Sequence, residues 1–392
     1  MTIDLNRARR ETPGSEHVLH FNNAGSALMP QPVLDAQIDH LQLEARIGGY
    51  ESAARARDGV ERVYGAAAEL IGAKTDEIAI IENATRAWDM AFYSIPFEPG
   101  DRILTAMAEY GSNYIAYLQI ACKTGAVVEV IPNDEHGQTS VDALKEMIDE
   151  RVKLISITHV PTNGGLVNPA NAIGKVAREA GILYLVDACQ SVGQLPVNVD
   201  KMGCDMLSTT GRKYLRGPRG TGFLYVREEV LERLEPPFLD MRAATWVDKG
   251  HYEIVGNAKR FENWETNYAA KIGLGVAIDY ALEWGIENIW ERVQSLSERL
   301  RGELSSIPGV TLRDLGEVRC GIVTFDVAGR DVAEIKAALE GQNINVTASR
   351  PPSTRLDMEA RGIAGLVRAS VHYYNSEDEV SRFCEVLEGI VA

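Results

Sequence analysis

Lys213 stands in the run STTGRKYLRGPRGTGFLYV, after a short apolar strand and before a loop with glycines at 217, 220 and 222. An amine at such a strand end is open to two readings. Partly desolvated, it loses proton affinity and becomes a nucleophile; solvated, it is an ordinary surface lysine. Asp187 ends the apolar run ILYLVD. A carboxylate buried there needs a cation or hydrogen-bond donors. A protonated pyridine nitrogen is one such cation, and capping the next helix is the other use of an aspartate at that place. Gln190 lies one turn further, where its amide reaches a ring substituent or simply faces solvent. Ala84 and Thr85 open a helix after a strand, where free N–H groups and a hydroxyl suit a phosphate; an N-cap threonine is the structural alternative. Thr210 and Arg212 flank the lysine and offer a hydroxyl and a cation to the same anion. Arg368 interrupts the otherwise apolar run LVRASVHYY. A buried arginine takes a carboxylate or phosphate partner, either a ligand's or a structural one.

Other chemistries find less support. His159 and His372 read as core histidines, and the seven histidines show no metal-ligand spacing. Neither GxxxxGK[ST] nor a strand-borne GxGxxG occurs, which argues against a nucleoside triphosphate or a dinucleotide. The five cysteines, Cys122, Cys189, Cys204, Cys320 and Cys384, form no CxxC pair and are odd in number. No disulfide framework, no zinc and no other metal is expected, and a reducing cytoplasm is the expected compartment.

Residues so scattered along the chain require a scaffold that gathers them. From 77 to 226 apolar runs alternate with segments of helical spacing. Strands are expected at 77–84, 101–110, 127–134, 153–160, 182–188, 204–211 and 220–226. Helices are expected at 86–95, 112–125, 140–150 and 168–181, the second and fourth closed by Gly125 and Gly181. Such alternation predicts an α/β, mostly parallel, doubly wound sheet, which binds ligands beyond the carboxyl ends of its strands. Thr85, Tyr110, Thr162, Asp187 and Lys213 all lie at or just past the ends of predicted strands. After 270 the pattern turns to long helices at 272–285 and 288–307 and then to an α+β segment. The expected division is an N-terminal segment 1–30 serving the small domain and the active-site entrance, a large domain 31–286 and a small C-terminal α+β domain 287–392.

The whole chain is 392 residues with a net charge of −16, 45% apolar and 24% charged. That is a globular composition too long for one compact core. The acidic balance disfavours nucleic acid, whose binding rests on Lys and Arg. No run approaches the roughly 18 apolar residues of a membrane span, and the polar start lacks a secretory h-region, so no membrane association is expected.

Taken in order, Thr85, Tyr110, His159-Val160, Asp187-Ala188-x-Gln190, Thr210-Gly211-Arg212-Lys213, Gly217-Pro218-x-Gly220-x-Gly222 and Arg368-Ala-Ser resemble the class V aminotransferase family. These are fold-type I pyridoxal-phosphate enzymes, and the likeness is to the branch of cysteine desulfurases, cysteine C–S lyases and isopenicillin N epimerases. It runs from NNAG at 22–25 to RASVHYYN at 368–375. The resemblance implies the transferase fold type I and pyridoxal 5′-phosphate as cofactor. It implies Lys213 as the lysine that holds the cofactor covalently and moves the proton at Cα, and Asp187 as the partner of the ring nitrogen. Gln190 and Thr162 correspond to contacts of the ring hydroxyl, Tyr110 to the aromatic stacked on the ring, and Ala84, Thr85, Thr210 and Arg212 to the phosphate site. The stretch NWETN, with Trp264, corresponds to the part a partner subunit lends to the cofactor site, so a homodimer with shared active sites is implied. Asn23 and Arg368 fall at substrate positions, Arg368 on the substrate carboxylate.

Three departures bear on the reaction. Tyr110 and Arg212 stand where the family usually has histidine. More important, desulfurases carry a nucleophilic cysteine shortly before the carboxylate-binding arginine, whereas the stretch 346–368 has none. It offers Arg350 and Arg355 instead, as candidates for a second anionic group of the substrate. The expected activity is therefore a lyase that breaks a C–S bond of a cysteine-derived amino acid by β-elimination without a persulfide cysteine. Aminotransferase and epimerase outcomes use the same residues and remain alternatives, ahead of a desulfurase. A non-catalytic scaffold would have little reason to keep both Lys213 and Asp187.

Overall fold

The computed structural model describes residues 3–392. Its main sheet has seven strands: β1 (Ile78–Ile81), β2 (Arg102–Ala106), β3 (Val127–Ile131), β4 (Val152–Thr158), β5 (Leu183–Asp187), β6 (Met206–Thr210) and β7 (Gly222–Val226). Their spatial order is β1-β7-β6-β5-β4-β2-β3. All neighbours are parallel except β7, which runs antiparallel to both β6 and β1. Strands β5, β6 and β7 are buried at every residue; β5 and β7 are accordingly nearly unbroken apolar runs, whereas β6 ends in the small polar residues Ser208, Thr209 and Thr210.

The reversed strand has a functional consequence. Thr210, the last residue of β6, pairs with Gly222, the first of β7, and Ile81 pairs with the same glycine. The loop carrying Lys213 therefore leaves and re-enters the sheet on the rim where β1, β2, β4 and β5 also end. Helices follow these strands as expected. Ala84–Phe92 follows β1, with Asn83 accepting from the Arg86 N–H at 2.9 Å. Gly111–Thr124 follows β2 and ends at Gly125 in the left-handed conformation; Ala170–Ala180 precedes β5 and ends likewise at Gly181.

Three helices over 31–71 (Gln31–Ile47, Gly49–Arg55 and Arg57–Ile71), the helix Tyr268–Trp284 packed against the first and third of them, and the hairpin of Ala244–Asp248 with His251–Ile254 add to this part of the chain. The second sheet is antiparallel, in the order Val310–Leu312, Ile322–Val327, Leu366–Ser370, Thr347–Ser349. Helices Ile286–Ser305, Val332–Glu340 and Glu377–Val391 pack with it.

The N-terminal segment is stitched to both halves. Leu19–His20 pairs in parallel with Ile344–Asn345, and Asn22 bridges to Ser370 in the second sheet. A few residues on, Ala27 donates its N–H to the Arg212 carbonyl at 2.9 Å. One continuous apolar cluster runs through both sheets, from Val186 and Leu207 to Ile322 and Val367.

Candidate active site

Along the carboxyl rim of β1, β4, β5 and β6 lies a cavity of about 80 Å³. Of the expected residues it brings together Ala84, Thr85, Tyr110, Thr162, Asp187, Gln190, Thr210, Arg212 and Lys213. They come from five separate segments, and the sheet order alone makes them neighbours.

At one end is an anion cradle. The first N–H groups of Ala84–Phe92 have no partner within their own helix, and Asn83 occupies only that of Arg86. Gly222 lets this helix end approach the sheet: a Cβ there would lie 2.4 Å from the Thr209 carbonyl oxygen and 3.4 Å from the Ala84 nitrogen. Thr210 and Arg212 face the same end, Arg212 held by a hydrogen bond to the Gly25 carbonyl.

Asp187 is buried. Its Oδ1 accepts from the Cys189 N–H at 2.9 Å and its Oδ2 from Asn113 Nδ2 at 3.0 Å. Lys213 makes no side-chain hydrogen bond and no ion pair among the described residues. Burial lowers the proton affinity of its amine; Cys189 and Asp187 oppose that shift, while Arg212 and Arg368 add to it. A lysine so placed is closer to a free amine than a surface lysine is.

Arg368, on Leu366–Ser370, reaches across from the second sheet to Thr162, donating to its carbonyl at 3.2 Å and to its hydroxyl at 2.5 Å. No carboxylate meets it, its Nε is buried without a partner, and burial lowers its pKa to about 10. A guanidinium left with an unfilled donor beside a cavity is ready for a carboxylate. Gln190 donates to the Ala24 carbonyl at 3.1 Å, which leaves its Oε1 buried and unpaired.

Four expected residues lie elsewhere. Asn23 is fully buried outside the cavity, with its amide spent on the Ser370 carbonyl at 2.7 Å and its oxygen taken by the Tyr374 hydroxyl. Arg350 is half-exposed and paired through both oxygens of Asp331, at 2.9 and 3.0 Å. Arg355 likewise pairs with Glu359, one turn along its own helix. Trp264 is exposed on a separate groove with Leu41, Tyr50 and Lys271.

Two features were not anticipated. Cys189 lines the cavity next to Asp187, and burial followed by the charge of Asp187 pushes its thiol well above the usual range. The DACQ run was the available signal, since any residue two past a strand-end aspartate shares its rim. Behind Asp187 lie Glu109 and Asn113, both buried, with no motif to announce them.

The model of the family described as aminotransferase class-V matches residues 19–383. The chain belongs to this family. Among curated proteins it is 30% identical to a probable cysteine desulfurase of Methanothermobacter thermautotrophicus, over 97% of each chain. Among solved structures it is similar to the apo cysteine desulfurase of Thermococcus onnurineus NA1, with a TM-score of 0.92 and 30% identity, covering 100% of this chain and 98% of that one. It also shares its fold with the cystine C–S lyase C-DES, solved with its product cysteine persulfide, at a TM-score of 0.87 and 24% identity over 96% of this chain and 99% of that one.

The donor set fits pyridoxal phosphate, the group implied by the sequence resemblance. It has an anion cradle, a carboxylate for a ring nitrogen, an orphaned amide oxygen for a ring hydroxyl and an unpaired amine for an aldehyde.

Proposed function

We propose that this chain is a pyridoxal-phosphate enzyme that breaks the Cβ–S bond of a cysteine-derived amino acid by β-elimination. The observation that carries the reading is Lys213, an unpaired amine of lowered basicity on the same cavity wall as the buried Asp187. When bound, the cofactor supplies an electron sink for the pair left at Cα. Lys213 would hold its aldehyde carbon until the substrate amine takes that place, and would then remove the α-proton. Asp187 would accept the hydrogen bond of the ring nitrogen and favour its cationic form. Ala84, Thr85, Thr210 and Arg212 would hold the phosphate, and Gln190 and Thr162 the ring hydroxyl. Tyr110 would stack on the ring. Arg368 would grip the substrate carboxylate and so orient the Cα–H bond for Lys213. Hydrolysis after loss of the sulfur group yields pyruvate and ammonia.

Lyase is favoured over desulfurase by the cysteine-free segment between Val346 and Arg368, and by the high thiol pKa of Cys189, which leaves that thiol protonated and a poor nucleophile. The two outcomes differ in product, because removal of a sulfur atom leaves alanine, whereas elimination leaves pyruvate. Assays with cysteine, cystine and S-substituted cysteine sulfoxides are expected to give pyruvate. Alanine with no pyruvate, or no turnover of any of them, would overturn the proposal. Lys213→Ala is expected to abolish covalent attachment of the cofactor and lower kcat by at least a thousandfold while the fold survives, measured by intact-protein mass spectrometry after borohydride reduction.

We also read residues 31–286 as the cofactor-holding unit, with 1–30 attached to 287–392, and the molecule as a homodimer. Leu34, Ile38 and Leu41 form an exposed stripe at helical spacing on Gln31–Ile47, and Tyr50 is 77% exposed beside the groove that holds Trp264. An apolar face of that kind fits a second copy of the chain, which would bring Trp264 toward the partner's cavity.

A further inference from the structure

Glu109 and Asn113 lie behind Asp187 and do not line the cavity. Glu109 Oε1 accepts from the Tyr110 N–H at 2.8 Å, from Asn113 Nδ2 at 2.9 Å and from the Thr158 hydroxyl at 2.5 Å; its Oε2 accepts from the Thr105 hydroxyl at 2.9 Å. The same Asn113 nitrogen donates its other proton to Asp187 Oδ2 at 3.0 Å. One amide thus bridges two buried carboxyl groups. No lysine or arginine forms an ion pair with either among the described residues.

Four donors offset part of the cost of burying this second acid, but they do not relieve its repulsion with Asp187. Two carboxylates separated by one amide in a dry environment repel each other, and a neutral side chain would accept hydrogen bonds without that penalty. The arrangement makes sense around a cation that is not part of the chain. On the reading of the site given above, that cation is the protonated ring nitrogen. We propose that Glu109 is a positioning residue: through Asn113 it fixes the Asp187 carboxylate, and its charge, added to that of Asp187, holds the ring nitrogen of the bound cofactor in its protonated form.

The titratable groups facing Glu109 are Asp187, across Asn113, and Tyr117, on the same helix as Asn113. Burial pushes the Glu109 carboxyl up; donation from Thr158 opposes this and the charge of Asp187 adds to it, with a result of about 7. A group poised there responds to any new charge nearby. Because coupling between sites is reciprocal, a cationic ring that gains proton affinity from Glu109 must lower the pKa of Glu109 in return.

Two measurements on the holoenzyme test this. In the first, the protein is loaded with cofactor labelled with 15N at the ring nitrogen, and the signal is followed by NMR against pH. Glu109→Gln is expected to lower the pH at which that nitrogen loses its proton by at least one unit, and Glu109→Asp to restore most of the difference. An unchanged midpoint in Glu109→Gln overturns the proposal. The second needs no variant, should Glu109→Gln not fold. The Glu109 carboxyl is titrated by 13C NMR with and without cofactor. A midpoint near 7 that falls by at least one unit on loading supports the proposal, and an unmoved midpoint overturns it. Failure of the chain to bind the cofactor through Lys213 would instead overturn the assignment of the site itself, a result distinct from both.

Discussion

At the scale of single residues, the site divides by how its members are held. Lys213, Asp187 and Gln190 owe their character to strand ends and short turns, so a reader of the sequence can find them. Glu109 depends on Thr105, Asn113 and Thr158, which reach it from two strands and a helix. No local spacing announces such a meeting. Asn23 fails in the opposite sense: it lies in a family motif, but Ser370 and Tyr374 consume its amide. Glu109 also carries a pH signature in the cofactor-free protein. Its carboxyl binds a proton more tightly folded, at about 7, than unfolded, near 4.5. Stability drawn from this group is therefore full below 4.5 and is lost as pH rises through 7. The stability of wild type minus that of Glu109→Gln should fall across this window, by up to about 3 kcal/mol. Urea melts at pH 4.5, 6 and 8 measure it, and a difference that stays flat would refute the assignment of that pKa.

At the scale of elements, the strands and helices from 77 to 226 were legible because most of the strands are short runs of buried residues and the helices Gly111–Thr124 and Ala170–Ala180 stop at a glycine. Gln31–Ile47 was harder to read, since Leu34, Ile38 and Leu41 point to solvent and blur the apolar stripe. The hairpin around Trp246 and Tyr252 escaped for the same reason, as its aromatic residues are exposed. One contact between elements is unusually tight. The turn Pro351–Ser353 lies over the start of Gly111–Thr124, where a Cβ on Gly111 would sit 2.3 Å from the Pro352 carbonyl oxygen. Asn163 pins the same turn through Ser353 and Thr354, at 3.0 and 2.9 Å. Gly111→Ala must displace this backbone. The expected cost is about 1–3 kcal/mol in urea unfolding, with a rise in KM larger than the fall in kcat, because Tyr110 and Thr162 adjoin the displaced turn.

At the scale of the whole molecule, the exposed stripe of Gln31–Ile47 should decide the oligomeric state. Leu41→Glu places a charge at the most exposed residue of the three, and sedimentation velocity is expected to show the monomer–dimer equilibrium shifted at least tenfold toward monomer. A variant that sediments as wild type would place the interface elsewhere. No helix among the described residues is long and apolar enough to cross a membrane. The threading of the N-terminal segment has a consequence for biosynthesis. Residues 19–22 find their partners only at 344–345 and 370, so this segment must wait for one synthesised far later. Until then the loop bearing Lys213 lacks the backbone donor of Ala27. A nascent chain stalled before residue 340 should therefore present a sheet already formed but a catalytic loop still unsecured, and acquire the ability to capture its coenzyme only once residues 344–370 have emerged.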